Sequence, residues 1–234
     1  IIDNSSATAL TIDSAGAATF SGDIITTTLG TSNLTLGVNA GNSIIAGGNY
    51  NTLVGDEAGA AITTGDSNVA FGIGALTNET AGNKSVAIGP SALASQNFTS
   101  STDAYNTAVG TSAGASVTTG TNNTLIGGLA GDAITTGSSL VAIGFDALGS
   151  NTTGSQNTAV GRKALLGNTT GASNTAVGMN SQLLVVSGDN NTSLGLEALR
   201  NNTASNNTAV GKDALRVNTT GTASVAVGAN ALAA

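Results

Sequence analysis

Residues 157–173 read NTAVGRKALLGNTTGAS, and the same sentence, lightly varied, is written along most of the chain. Its landmark is a glycine behind a large apolar residue: Gly55, Gly72, Gly89, Gly110, Gly127, Gly144, Gly161, Gly178, Gly195, Gly211 and Gly228. Successive intervals are 17, 17, 21, 17, 17, 17, 17, 17, 16 and 17 residues. A fixed period of this length means one small supersecondary unit stacked on copies of itself, with a core buried only between neighbours. Function is to be sought along a rod.

Each column of the repeat has a physical reading. Directly before the glycine stand Val54, Phe71, Ile88, Val109, Ile126, Ile143, Val160, Val177, Leu194, Val210 and Val227, mostly β-branched, and this column is expected to be the buried spine of a short strand. Two residues earlier a Thr or Val shares that face, while the intervening Ala, Leu or Ser points the other way. Three residues after the glycine comes Ala in every unit but one, Ser181 being the exception, and Leu follows in seven. One coil carries few large aliphatics, so this small column is expected to be where parallel chains approach one another.

The second half of the unit is polar and often ends in TTG, as at Gly120, Gly137, Gly154, Gly171 and Gly221, where glycine is expected to supply a positive φ for a turn. Asn stands four residues before the landmark in eight of eleven units, among them Asn157, Asn174, Asn191 and Asn207. Stacked coils would turn these amides into a ladder that satisfies turn backbone. A helical repeat fails on apolar spacing, on the glycine in every unit and on the scarcity of Glu, Lys and Arg. The chain is therefore predicted to be all-β: a parallel β-solenoid of about eleven 17-residue coils over residues 49–234, roughly 50 Å long, behind a β lead-in at residues 1–48.

Composition narrows the function classes. Charged residues make up 8% and aromatics 3% of 234 residues, and the net charge of −7 disfavours a nucleic-acid backbone as partner. No apolar run approaches the ~18 residues of a spanning helix, and no membrane insertion is expected. Cysteine, histidine and tryptophan are absent, which removes thiol and histidine chemistry and the common zinc sites. No catalytic residue, metal or cofactor is assigned. The pairs Asp56 with Glu57 and Glu197 with Asp213 read as solvated edge charges. Gly82, Asn83, Lys84 and Ser85 read as a turn and not as a phosphate loop, and Asp189, Asn190 and Asn191 lack the other ligands of a calcium loop. The start at Ile1 and the end partway through a repeat read as a piece of a longer protein.

The motif VAIGxxA at Val86–Ala92 and Val141–Ala147 resembles the YadA-like head repeat of trimeric autotransporter adhesins, which also occurs in bacteriophage tail fibres. The resemblance covers about residues 51–234. It implies a left-handed parallel β-roll, three chains side by side, and a surface presented to host tissue. That family's repeat is shorter, with a second strand of SxAxG character, so no receptor preference carries over. Ahead of the repeats, Ala9 to Ile12 and Ala18 to Phe20 alternate around Asp13, Ser14 and Gly16 in a manner similar to phage fibre proteins, and 34–48 is expected to lead into the roll.

Two departures from the repeat stand out. The unit between Gly89 and Gly110 has four extra residues and contains Phe98, Asp103 and Tyr105, read either as a receptor contact or as a loop tucked onto a neighbouring subunit. Leu183, Leu184, Val185 and Val186 replace the usual polar turn and are read as a trimer contact or an adhesive patch. The expectation is a non-enzymatic homotrimer in an extracellular fibre, such as a phage tail fibre, with other fibre or virion proteins and a host cell-surface glycan or protein as partners. The alternative is the head of a bacterial trimeric adhesin at the cell surface. An ice-binding solenoid and a polysaccharide-degrading tailspike are the remote alternatives; adjacent threonines such as Thr152 and Thr153 would face opposite ways, against a single threonine array.

Overall fold

The computed structural model describes residues 10–12, 18–20 and 29–233. Two short strands, β1 (Leu10–Ile12) and β2 (Ala18–Phe20), pair antiparallel. The expected turn residues Asp13, Ser14 and Gly16 between them, Ala9 before them and Ala234 at the other end lie outside the described residues. Then follow β3 (Leu34–Leu36), β4 (Thr52–Val54), β5 (Val69–Phe71), β6 (Gly82–Asn83), β7 (Val86–Ile88), β8 (Thr102–Asp103), β9 (Thr107–Val109), β10 (Thr124–Ile126), β11 (Val141–Ile143), β12 (Thr158–Val160), β13 (Thr175–Val177), β14 (Thr192–Leu194), β15 (Thr208–Val210) and β16 (Val225–Val227).

Twelve of these, β3 to β5, β7 and β9 to β16, stack in chain order into one parallel sheet, and every pairing joins equivalent positions of the repeat. The chain is a parallel β-solenoid of about eleven turns with 17-residue coils. Its ladder already begins at β3, so 34–48 forms a coil and does not merely lead into one; the LTLG ending at Gly37 is the same landmark, 18 residues before Gly55. β6 and β8 form a separate parallel pair beside the coil that carries the four extra residues.

The glycine landmark is explained by backbone crowding. Each of these glycines has a φ between 124° and 139°, and a Cβ on Gly144 would stand 2.7 Å from both the carbonyl carbon and oxygen of Gly161 in the next coil. The coils touch there main chain to main chain, held by bonds such as Gly144 N–H to Ile126 O at 2.7 Å and Thr124 N–H to Leu140 O at 2.8 Å. The TTG glycines differ from expectation, since none has a positive φ. They are glycine because the next coil's carbonyl is too close, 2.2 Å from a Cβ on Gly120 and 2.3 Å from one on Gly154. The left-handed residue of that turn comes two positions later, at Asn122, Ser139, Gln156 and Ser173.

Two expectations about the core are overturned. The column Val54, Phe71, Ile88, Val109, Ile126, Ile143, Val160, Val177, Leu194, Val210 and Val227 faces away from the coil interior, with Phe71 56% and Val227 71% exposed. The buried strand residue is the intervening one, Ala70, Ala87, Ala108, Ala142, Ala159, Ala176 or Ala209, with Leu53 and Leu125 as the large members. The alanines after the landmark, among them Ala75, Ala92, Ala113, Ala147 and Ala164, are fully buried within the same chain and are not available to a neighbouring one. The coil is so thin that its two walls leave room for methyl groups, and the β-branched residues are displaced to the outer face.

The remaining core volume is shared by two positions, four and seven residues after the landmark. The first adopts a left-handed backbone throughout, as in Leu76, Leu93, Leu148, Leu165, Leu199 and Leu215, or Gly59, Gly114 and Gly131. Where it is Gly, the second position is Ile62, Val117 or Ile134; where it is Leu, the second is Glu79, Gln96, Asn151, Asn168, Asn202 or Asn218. A Cβ on Gly131 would come 2.4 Å from Ile134 Cδ1, so the two side chains compete for one space.

Gly144→Ala is expected to lower stability by about 2–4 kcal/mol, since strain and a main-chain clash coincide; Ser139→Gly, at a left-handed position, should change it by less than about 1 kcal/mol. Urea unfolding of the two variants checks the contrast. In the same assay Gly131→Leu should cost about 1–3 kcal/mol through overpacking, and Ile134→Asn introduced with it should show a favourable coupling of at least about 0.5 kcal/mol.

Candidate functional surfaces

The asparagine column forms the ladder expected from its spacing. Asn123 Nδ2 donates to Gly137 O (3.0 Å), Asn123 Oδ1 accepts from Leu140 N–H (3.0 Å), and Asn123 N–H donates to Asn106 Oδ1 (3.0 Å). Asn174 repeats the pattern with Gly188, Asn191 and Asn157. Where Leu140 breaks the column, the carbonyl of Gly154 accepts instead from Asn151 Nδ2 at 2.9 Å. The paired threonines divide as expected: Thr135 Oγ1 donates to Thr152 O and Thr152 Oγ1 to Thr169 O, each at 3.1 Å, while Thr136 and Thr153 are exposed. These groups are bound to backbone and join the coils, which leaves three surfaces where function can reside.

The first is the outer face of the twelve-stranded sheet. The third residue of each strand, the column once expected inside, lines it together with the Thr or Val at the first. Phe71, Ile88, Ile126, Ile143, Leu194 and Val227 are exposed along it in successive or nearby coils. The result is a stripe of aliphatic side chains that the single chain leaves uncovered from one end of the sheet to the other.

The second is the coil with four extra residues. Phe98, expected to contact either a receptor or a neighbouring subunit, is buried within its own chain, and its N–H is one of four backbone donors on Glu79 Oε1, with those of Thr80, Ala81 and Gly82. Glu79 Oε2 accepts from Gln96 Nε2 (2.8 Å), which also donates to Ser85 Oγ (2.9 Å), while Gln96 Oε1 accepts from Asn106 Nδ2 (2.8 Å). The carboxylate anchors the insertion, and its satisfied environment is that of a structural group. No pattern in the repeat signals Glu79 beforehand, since its cross-coil partners, Phe98 N–H and Gln96, lie in the irregular unit that follows.

Asp103 and Tyr105 stay at the surface. The β6–β8 pairing sets Asp103 beside Asn83, so Gly82 and Asn83 form a short strand and not a turn. Lys84 Nζ lies 2.5 Å from Asp103 Oδ2 and 3.1 Å from Tyr105 Oη, and 5.1 Å from the Tyr105 ring centroid. Hydrogen bonding to Lys84 holds the Asp103 carboxyl below its ordinary range, and the same bond raises Lys84.

The third is the departure at 181–186. Val185 is fully buried in the core, and Leu183 is half-buried, so only Leu184 and Val186 remain exposed of the four expected to make a patch. Val185 fills the space left because Gln182 replaces the usual Leu. Three deviations from the repeat meet here: Ser181 Oγ bonds Ser193 Oγ, and Gln182 Nε2 donates to Ser193 Oγ (2.8 Å) and Thr175 O (2.9 Å). Ser181 is thus the exception in the alanine column because it has a buried hydroxyl partner in the next strand.

Of the carboxylate pairs, Asp56 and Glu57 are exposed, while Glu197 and Asp213 converge on Arg216 at 3.1 and 3.6 Å, a cross-coil ion-pair cluster. Among the described residues, the Asp132 carboxyl is held above its ordinary range, first by burial and then by Asp146. Comparison with protein-family models, with curated proteins and with solved structures finds no match to this chain.

Carboxyl titration by NMR should find Asp103 below the ordinary range, with its ionised form favoured by Lys84. In Lys84→Ala the Asp103 midpoint should move upward, with the Asn83 and Tyr105 hydrogen bonds left to oppose part of the rise. The sign follows from the pairing: the ion pair is present above the lowered midpoint and is lost as pH falls through it.

Proposed function

We propose that this chain is a non-enzymatic, rod-forming segment of an extracellular fibre, assembled as a homotrimer, and that it spaces or presents attachment to a host surface, as in a bacteriophage tail fibre. The observation that carries the reading is the aliphatic stripe on the outer sheet face. A rod that leaves β-branched residues exposed at the same position in coil after coil has a surface made for other copies of itself, since each added coil extends the contact by the same increment. The stripe takes the place that the alanine column was expected to hold.

Resemblance of the VAIGxxA units to the YadA-like head repeat supports the same assignment, because in that family three such rolls lie side by side. Hydrogen-bonded coils resist bending, and three copies of each weak surface contact act together, so affinity for a cell surface comes from multivalency and not from one deep pocket.

Light scattering on the purified chain should give about three times 22.3 kDa. The double variant Ile126→Lys with Ile143→Lys, which places charges on the stripe without touching the coil interior, should shift the mass to that of one chain while the β-sheet circular dichroism persists. A wild-type monomer, or a charged variant that remains trimeric, would sink the stripe as the interface.

A further inference from the structure

Five residues before the landmark, every coil places a residue in the left-handed conformation. The occupants are mostly small or polar, such as Ser67, Ser139, Gln156, Ser173 and Asn190. At two coils the column instead holds the chain's only tyrosines, Tyr50 at φ 58° and Tyr105 at φ 50°. A bulky side chain in this region is costly to hold. The left-handed leucines of the core offset that cost by full burial; Tyr105, 52% exposed, is held by its hydroxyl's bonds with Lys84 and Asp103, whereas Tyr50, 65% exposed, has neither burial nor a side-chain bond among the described residues to offset its cost.

Tyr50, Lys84 and Tyr105 stand in one column, with a single coil at Ser67 between the first two. From Tyr50 to Tyr105 is three coil spacings, roughly 14 Å along the rod. Polar side chains flank the column in fixed positions. Asp103 is held by Lys84 and by Asn83 Nδ2 (3.3 Å), and the β6–β8 pair that sets it there exists only because of the four-residue insertion.

We propose that this ridge is a saccharide-binding site that takes a neutral glycan chain lying along the rod axis. The Tyr50 ring, and the face of the Tyr105 ring turned away from Lys84, offer flat apolar surfaces for the C–H side of pyranose rings, with the Tyr50 hydroxyl able to bond at the rim. Asp103 and Lys84 supply an acceptor and a donor for sugar hydroxyls, and their mutual pairing cancels the local charge, which fits an uncharged ligand. The coil spacing is comparable to the rise per sugar in an extended glycan, so four successive rings would meet Tyr105, Lys84, Ser67 and Tyr50 in turn. Because the polar groups are already ordered by the ladder, little ordering remains for binding to supply. The proposal deepens the attachment reading and rests on it for the class of partner.

The chain has two tyrosines and no tryptophan, so its tyrosine emission reports on this ridge alone. Maltohexaose, cellohexaose and chitohexaose, titrated to millimolar concentration against the purified chain, should include at least one that changes this emission saturably. Tyr50→Ser and Tyr105→Ser, which introduce the residue found at Ser67, Ser139 and Ser173 in the same column, should each weaken binding of that glycan roughly tenfold as read by calorimetry, with unchanged circular dichroism. No response to any of the three glycans, or a double variant that binds as the wild type does, would overturn the proposal. Failure of acrylamide to quench the tyrosines would overturn it too, by showing the ridge covered by another copy. Mass measured on the same samples separates the outcomes: a trimer that binds no glycan overturns the site and leaves the fibre, and a monomer that binds overturns the fibre and leaves the site.

Discussion

Main-chain contact between successive landmark glycines is the constraint from which the rest of this structure follows. With no side chain at that point, carbonyl and amide of one coil rest against those of the next, and equivalent residues are forced into register along the rod. Register then converts every column of the sequence into a ladder. Asparagine amides bond the turn of the following coil, threonine hydroxyls bond the carbonyl 17 residues on, and alanines stack where the two walls of the coil nearly meet. A side chain at the landmark would separate two coils and disturb all of these at once.

Departures from the repeat are tolerated when their consequences close locally. Gly and Ile trade places with Leu and Asn at the two positions that share the core. Ser181, Gln182 and Ser193 deviate together and bond one another. The four extra residues after Gly89 are tied down by one buried carboxylate, Glu79, which collects four backbone donors and a glutamine. That anchoring leaves Asp103 and Tyr105 at the surface in fixed positions, where a mobile insertion would have scattered them.

The two principal surfaces lie on different features of the coil. The aliphatic stripe belongs to the strands and is uniform along the rod, which suits self-association; the tyrosine ridge belongs to the turn before the strand and is confined to the coils near the insertion, which suits a specific ligand. A uniform surface can be lengthened by adding coils, whereas a local one can change with a single insertion while the rod stays intact.

The period, the β class, the parallel stacking and the asparagine ladder were determined by the sequence alone, because each depends on spacing, and spacing survives projection onto one dimension. Burial was decided only by the tertiary structure. Val, Ile and Phe before the landmark read as core by hydrophobicity, yet the inward strand position is the one before them, mostly alanine with Leu53 and Leu125, and the β-branched residues turn outward. The same holds at the candidate site: Phe98 and Val185 read as surface from their place in irregular segments and are buried, while Tyr50, unremarked in the sequence, joins Tyr105 in one column only once the coils are stacked. Which face a strand residue occupies depends on the width of the space behind it, and that width is set by the opposite wall of the same coil, where Leu125 meets Gly131 and Ile134.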